Sequence, residues 1–381
     1  MRLLIVSTLD SDQPFGAFTR PFYLGQYLAK QFDLCQLGLN CASVDYAKST
    51  SVGSRSLSAY VHKIQEYITE FSPDIIYAQE TLPGIAALIA VTLSRYKKCQ
   101  LVFDFHTLSA FEYWTRLATT TNKLQEFKQF IKTYLAQGVL LFANCSIIAA
   151  SAATVKMIPQ WYPTRLNHNI YSVGNGVSED LLQAPFISTP DPYEHLRPAK
   201  IAVVIAPKTY QFPTNDMSVD MTIQIAKYLQ YQVEDIHFVV IGRNAEDLIS
   251  SLPKNITFIG FLPSRSDFIA HLVHTDICLL PFPETAVAGG ARNKALDYLA
   301  VKKLVISTWE GLRGLEEFRH QEHLLVTGYA VEEFANTVKE AVTNLQNYQP
   351  LVENAYSLIQ SKYSWQSMAD RVAEVFNNHI K

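Results

Sequence analysis

Short apolar runs alternate with amphipathic stretches along almost the whole chain, and this alternation restricts the fold more than any other feature. Runs at 3–7, 33–39, 75–78, 101–104, 146–150 and 170–173 read as buried strands, and stretches such as 19–31 and 57–71 between them read as helices. A strand–helix repeat of this kind builds a parallel sheet covered on both faces. Pro185, Pro190 and Pro192 then fall within one short stretch, which can continue neither a helix nor a central strand. A second series follows at 201–205, 237–241, 256–259, 277–281, 304–307 and 324–326, and a helical tail runs over 331–381 with a break near 348–350. The expected fold class is α/β: two Rossmann-like, doubly wound parallel-sheet domains, over 1–183 and 193–360. Ligands of open α/β sheets bind beyond the carboxyl ends of the strands. Two such domains facing each other would make a cleft with one substrate on each wall.

Length and composition are consistent with this. A chain of 381 residues suggests two or three domains, and a 48% hydrophobic content fills ordinary cores. A net charge of −3 argues against nucleic acid as a main partner. Cys35, Cys41, Cys99, Cys145 and Cys278 form no CxxC pair and read as small buried hydrophobes of a reducing compartment. The first apolar run meets Asp10 and Asp12 with no small-residue cleavage site, so it reads as a strand and not a signal peptide. The longest apolar region, 139–153, is short for a membrane span. The expectation is a cytoplasmic protein, with peripheral attachment at the inner membrane face left open.

The most informative segment for chemistry is 288–300. After the apolar run 277–282 come Gly289 and Gly290, then Arg292, Asn293 and Lys294, then an apolar helical pattern that carries Asp297. Glycines permit close backbone approach. A helix N-terminus offers unpaired N–H groups, and the two cations add formal charge. Together these make a place for phosphates. A further apolar run, 303–308, leads to Gly311 and Leu312.

This segment resembles the donor-binding motif of GT-B glycosyltransferases, the retaining family 4 type (group 1 glycosyl transferases), in its Gly-Gly-Thr-Arg branch. The resemblance rests on Gly289, Gly290, Arg292, Lys294 and Asp297, and on the Gly311-Leu312 pair after the next strand. The family usually has Glu where Asp297 stands, and many members have a second Glu at the position of Gly289. The resemblance implies that Arg292 and Lys294 neutralise the donor diphosphate, that Asp297 accepts hydrogen bonds from the ribose, and that the loops at Gly242 and Gly260 hold the base. It also implies that the last helix, 361–381, packs back on the N-terminal domain.

Other loops at strand ends add candidates. Lys208 follows the run 201–205 and reads either as a phosphate ligand or as a solvated lysine. Asn215 reads either as a donor contact or as a helix N-cap. In the first domain, Asp104-Phe105-His106 follows a strand. The family's matching element points its His at the donor sugar, which makes His106 catalytic; the other reading is a buried, satisfied histidine. Gly16 and Arg20 lie in the loop that resembles the family's Gly-Gly-x-x-Arg element on the acceptor side. Glu112 reads as an acceptor contact or as an ordinary surface residue.

No Gly-x-Gly-x-x-Gly, Walker A, HExxH or Gly-x-Ser-x-Gly occurs, and one Asp-x-Asp, Asp10-Ser11-Asp12, follows the first apolar run. With two cations and a helix end to meet the diphosphate, the expected activity is metal-independent hexosyl transfer from a nucleotide diphosphate sugar, a co-substrate, to a hydroxyl of a glycan, lipid-linked or small-molecule acceptor. Retention and a place in polysaccharide biosynthesis are implied by the resemblance, and no cofactor is expected. The alternatives are another GT-B enzyme, such as a nucleotide-sugar epimerase, or a non-catalytic nucleotide-sugar-binding scaffold.

Overall fold

The computed structural model describes residues 1–12, 18–94, 96, 98–118, 120–143, 145–162, 170–208, 213–247 and 252–378. Gly16 lies outside the described residues. The chain forms two compact units: Met1–Gly176 with Gly289–Ala291 and Trp365–Lys381, and Val177–Ala288 with Arg292–Ser364.

The first unit is built on seven parallel strands: β1 (Arg2–Val6), β2 (Asp33–Gly38), β3 (Lys48–Ser51), β4 (Ile75–Gln79), β5 (Gln100–Phe105), β6 (Ser146–Ala149) and β7 (Ile170–Ser172). Their order across the sheet is β3-β2-β1-β4-β5-β6-β7. The strand order reverses between β1 and β4, where Leu3–Val6 pair with Ile75–Ala78. Strands buried on both faces read as unbroken apolar runs, and β1 and β4 do so. Helices α1 (Thr19–Leu28), α2 (Leu57–Glu70), α3 (Thr81–Ser94), α4 (Ser109–Arg116), α5 (Lys123–Phe142) and α6 (Ala152–Trp161) cover the sheet. The strand β3 has no counterpart among the apolar runs. Its sequence Lys-Ser-Thr-Ser is half exposed at the sheet edge, where a strand needs no apolar face.

The second unit repeats the plan with six parallel strands: β8 (Lys200–Ile205), β9 (Ile236–Ile241), β10 (Ile256–Ile259), β11 (Ile277–Leu280), β12 (Leu304–Thr308) and β13 (Leu325–Thr327). Their order is β10-β9-β8-β11-β12-β13, with the reversal between β8 and β11. Helices α7 (Glu179–Gln183), α8 (Thr214–Leu229), α9 (Arg265–Val273), α10 (Lys294–Ala300), α11 (Val331–Thr343) and α12 (Gln349–Lys362) complete it. The apolar face of α8 packs with Phe238, Val240 and Phe334 in this unit's core. Both units thus have the doubly wound α/β class read from the sequence.

The helical tail resolves into three helices. Pro350 sits in the first turn of α12, where its missing N–H costs nothing. The last helix, α13 (Trp365–Asn378), belongs to the first unit. It packs on α1, with Trp365 stacked on Tyr23 at 5.5 Å and Phe376 set edge-on against Tyr77 and Phe32. The chain passes between units at Gly176, ahead of the proline-rich stretch, which lies inside the second unit. That stretch is anchored there: Phe186 sets edge-on against Tyr356, and Asp191 pairs with Arg197 at 3.1 Å.

Candidate active site

In the second unit, the carboxyl end of β8 at the sheet's switch point carries the most unusual group of the molecule. Lys294 turns its ammonium onto the Ile205 carbonyl at 2.6 Å and the Asn215 side-chain oxygen at 2.9 Å. Both acceptors are neutral. Burial, reinforced by the charges of Arg292 and Arg243, pushes the Lys294 pKa down to about 7. An anion beside this lysine would offset both its burial and the neighbouring positive charges.

Arg292 is buried and lies flat on the Phe282 ring, 3.8 Å from its centroid. Its guanidinium donates to the Ala286 carbonyl and to Thr214 Oγ1 at 3.1 Å, and stands 3.7 Å from Glu310. Glu310 directly precedes the Gly311-Leu312 pair, but the sequence did not single it out as a site residue. It is buried beyond β12, takes a two-pronged ion pair from Arg313 at 2.7 and 2.9 Å, and accepts the Ala288 amide at 3.3 Å. It thereby pins the loop that carries Arg292. Arg243 was also missed as a site residue. It follows β9, is buried, pairs with Asp216, and leaves its Nε without a partner among the described residues. Its only sequence signal is its place one residue past the strand-end glycine.

Asn215 is not an N-cap. It lies inside α8, which starts at Thr214, and its amide bridges the Pro207 carbonyl to Lys294. Lys208 is exposed, and its backbone amide reaches the Gly242 carbonyl at 3.2 Å. Gly242 has φ +95°, and a Cβ there would lie 2.9 Å from Pro207 Cα, so only glycine fits without strain. Gly260 abuts the Asn244 side chain.

The geometry around α10 and the turn after β12 adds three facts. The N-terminus of α10 is not a set of free amides, because Arg292, Ala295 and Leu296 donate to the carbonyls of Arg313, Arg292 and Asn293. The side chains therefore carry the positive charge. Asp297 forms no ion pair with Lys294, whose ammonium is engaged elsewhere. Burial pushes the Asp297 pKa up to about 6, with Arg265 opposing and Asp180 adding to the shift. Gly311 and Leu312 are buried beneath the Glu310 turn, so they shape that loop and offer no open surface.

The tripeptide Gly289–Ala291 groups with the first unit. A Cβ on Gly289 would fall 2.5 Å from Thr107 Oγ1, and one on Gly290 would fall 3.0 Å from the His106 carbonyl. Gly289 accepts from Leu108 N and from Thr154 Oγ1 at 3.1 Å. The glycine pair thus packs closely against residues 106–108.

The switch point of the first sheet holds a second polar group. His106, just past β5, lies 3.3 Å from Gln79 Oε1 through Nε2 and 3.5 Å from Glu80 through Nδ1. Glu80 also accepts from Thr8 Oγ1, past β1. Burial would raise the Glu80 pKa, but the hydrogen bonds and charge of His106 and Thr8 outweigh it, and the net shift is downward. Glu80 holds φ +72°, uncommon for a residue with a side chain. No sequence motif marked it. Arg20 is not on an open wall: it is buried, ion-paired with Asp104 at 2.9 Å, and bonded to the Gly174 carbonyl. Tyr77 donates to the same carboxylate. Glu112 accepts from Thr107 at 2.6 Å. Among the described residues no cluster of His, Cys, Asp and Glu could hold a metal ion, and no helix is long and apolar enough to cross a membrane.

The Lys294 ammonium gives the first measurable consequence. With the Lys294 pKa pushed down to about 7, an anion that binds its ammonium would draw a proton onto it at any higher pH. The affinity for such an anion should be full below about pH 7 and should fall as pH rises through it, by about tenfold per unit at the limit. Calorimetry in buffers of different ionisation enthalpy should show proton uptake at pH 8, and Lys294→Met should abolish it. Uptake that survives the substitution would assign the proton to another group.

No curated protein matches the sequence. Residues 208–344 match the family model described as glycosyl transferases group 1. Among solved structures, the chain is similar to sucrose-phosphate synthase from Thermosynechococcus elongatus (12% identity, TM-score 0.73, 99% of each chain covered). It is also similar to HepE from Anabaena, solved with UDP and glucose (15% identity, TM-score 0.71, covering 99% of this chain and 100% of that one). A third is WaaG, a glycosyltransferase involved in lipopolysaccharide biosynthesis (15% identity, TM-score 0.67, 98% and 99% covered). The chain therefore has the two-sheet α/β fold of GT-B glycosyltransferases, and the stretch that matches the group 1 glycosyl transferase model includes Lys294 and Arg292.

Proposed function

We propose that this chain is a glycosyltransferase that moves a sugar from a nucleotide diphosphate sugar to a hydroxyl acceptor, with retention at the anomeric carbon. The observation that carries the reading is Lys294: a buried cation at the switch point, between Arg292 and Arg243, with only neutral oxygens as acceptors. A diphosphate supplies the missing charge. The match of 208–344 to glycosyl transferases group 1 supports the same assignment.

In this reading Arg292 and Lys294 bind the diphosphate and stabilise the charge that grows on it as the glycosidic bond breaks. Lys208 and Arg243 add to the field. Asp297 receives the ribose hydroxyls, and the turns at Gly242 and Gly260 hold the base. His106, aimed by Glu80 and Gln79, hydrogen-bonds a sugar hydroxyl. Arg20 acts indirectly by fixing Asp104, and Glu112 stands on the acceptor side. The diphosphate charge is met by side chains of the protein itself. The product would be a glycan or a glycosylated lipid.

A thermal-shift panel of nucleoside diphosphates and nucleotide sugars tests the donor class, because a ligand that binds only the folded state raises its melting temperature by mass action. UDP comes first, since HepE was solved with it. At least one nucleoside diphosphate should raise the midpoint, and its nucleoside alone should do so less. A panel with no shift at saturating concentrations would contradict the proposal.

A further inference from the structure

On α5 an apolar stripe faces outward. Leu124, Phe127, Ile131, Leu135, Val139 and Phe142 are all exposed, Leu124 at 66% and Leu135 at 61%. At 100° per residue they span about 120° of the helix and about 27 Å of its length. A stripe of this size on one helix is unusual for a surface bathed only by water. Lys123, Lys128 and Lys132 are exposed along the same side, Lys123 and Lys132 on opposite flanks of the stripe and Lys128 within it, between Leu135 and Val139 in helical angle. No exposed carboxylate lies on this helix, because Glu126, the only acid in it, is buried against Arg116 at 3.2 Å. Trp114 of α4 is also exposed, 5.2 Å from Phe130 of α5.

We propose that this face docks on an anionic lipid surface, with α5 lying in the interface plane. The combination selects the occupant. Leu, Phe and Ile enter the acyl boundary, while lysines reach back to acidic headgroups along their aliphatic stems. A two-fold contact with a second copy would set three lysines against three lysines with no acid between them. The net charge of the whole chain is −3, so the cationic character is local to this helix and not a general property of the protein. The inference stands independently of the transferase reading, since nothing in it uses the Lys294 site.

Flotation of the full chain with phosphatidylcholine vesicles, with and without phosphatidylglycerol, tests it. The protein should float with the anionic vesicles and remain behind with the neutral ones, and added salt should release it. Replacing Lys123, Lys128 and Lys132 with Ala should lower partitioning on the order of 10²-fold. Phe127→Ser with Leu135→Ser should lower it comparably. All five positions are exposed, so melting temperature and nucleotide binding should stay at the parent values. Absence of binding to anionic vesicles, or binding that neither set of substitutions changes, would overturn the proposal. So would a dimer in sedimentation that the serine substitutions dissolve while vesicles are ignored, because that assigns the face to a second copy.

Discussion

Lys294→Met should weaken nucleoside diphosphate binding by roughly 10- to 10²-fold, the loss of one charge-assisted contact of roughly 1.5–3 kcal/mol. The same substitution should leave the ligand-free protein as stable as the parent or more so near neutral pH. The ammonium is buried beside two guanidinium groups and bonds only a carbonyl and an amide oxygen. Methionine fills the same space without charge. The stability effect also has a definite pH dependence. The unfolded chain holds the Lys294 proton up to about pH 10.5 and the folded chain only to about pH 7, so the parent's stability rises with pH between those values. Lys294→Met removes that rise. Arg292→Ala should cost binding to a similar extent but also lower stability, because it takes the partner from Phe282 and leaves Glu310 with Arg313 as its one close cation. Titrations and melting curves on both variants check this. Normal nucleotide affinity in both would place the diphosphate elsewhere.

His106→Ala should reduce turnover by roughly 10²-fold or more, the scale of a single positioned contact to the reacting group. Nucleotide affinity should barely change. The reasoning runs through the switch point of the first sheet. Glu80 and Gln79 hold the two ring nitrogens of His106, and Thr8 holds Glu80. A histidine that was simply packed would not need a carboxylate set beside it on a backbone at φ +72°, its pKa lowered against burial by the His106 and Thr8 hydrogen bonds. Glu80→Gln should therefore reproduce part of the loss, with less effect on melting than on rate. Transfer or donor hydrolysis measured beside nucleotide binding on each variant decides the matter. Unchanged turnover in His106→Ala would return it to a structural role.

Most of the scaffold was legible from the chain. Parallel strands buried on both faces leave continuous apolar runs, and the cores of β1, β4, β8, β11 and β12 lie within one or two residues of theirs. The edge strand β3 was not legible, because an exposed Lys-Ser-Thr-Ser carries no such run. The glycine–arginine–lysine segment drew attention to the loop before α10 but did not reveal its packing. A Cβ on Gly289 or Gly290 would crowd residues 106–108, and the amides of Arg292, Ala295 and Leu296 already donate to carbonyls. Glu310, Arg243 and Glu80 escaped notice for one reason. Each is a single charged residue just past a strand, and its meaning comes from partners tens of residues away, or from a backbone angle. Arg20 shows the reverse: its position drew attention, but burial and Asp104 fix it as a support.

The most direct measurement of the central claim is hydrolysis of a nucleotide sugar by the purified protein, with the anomer released followed by proton NMR as it forms. The donor is the one that gives the largest thermal shift. The parent should liberate sugar slowly, with the anomeric configuration of the donor kept at early times, and Lys294→Met and His106→Ala should be slower by roughly 10-fold or more. Release of the opposite anomer would contradict retention. A parent that binds the donor and releases no sugar above the buffer rate, with or without a hydroxyl acceptor, would show that this fold holds nucleotide sugars without transferring them.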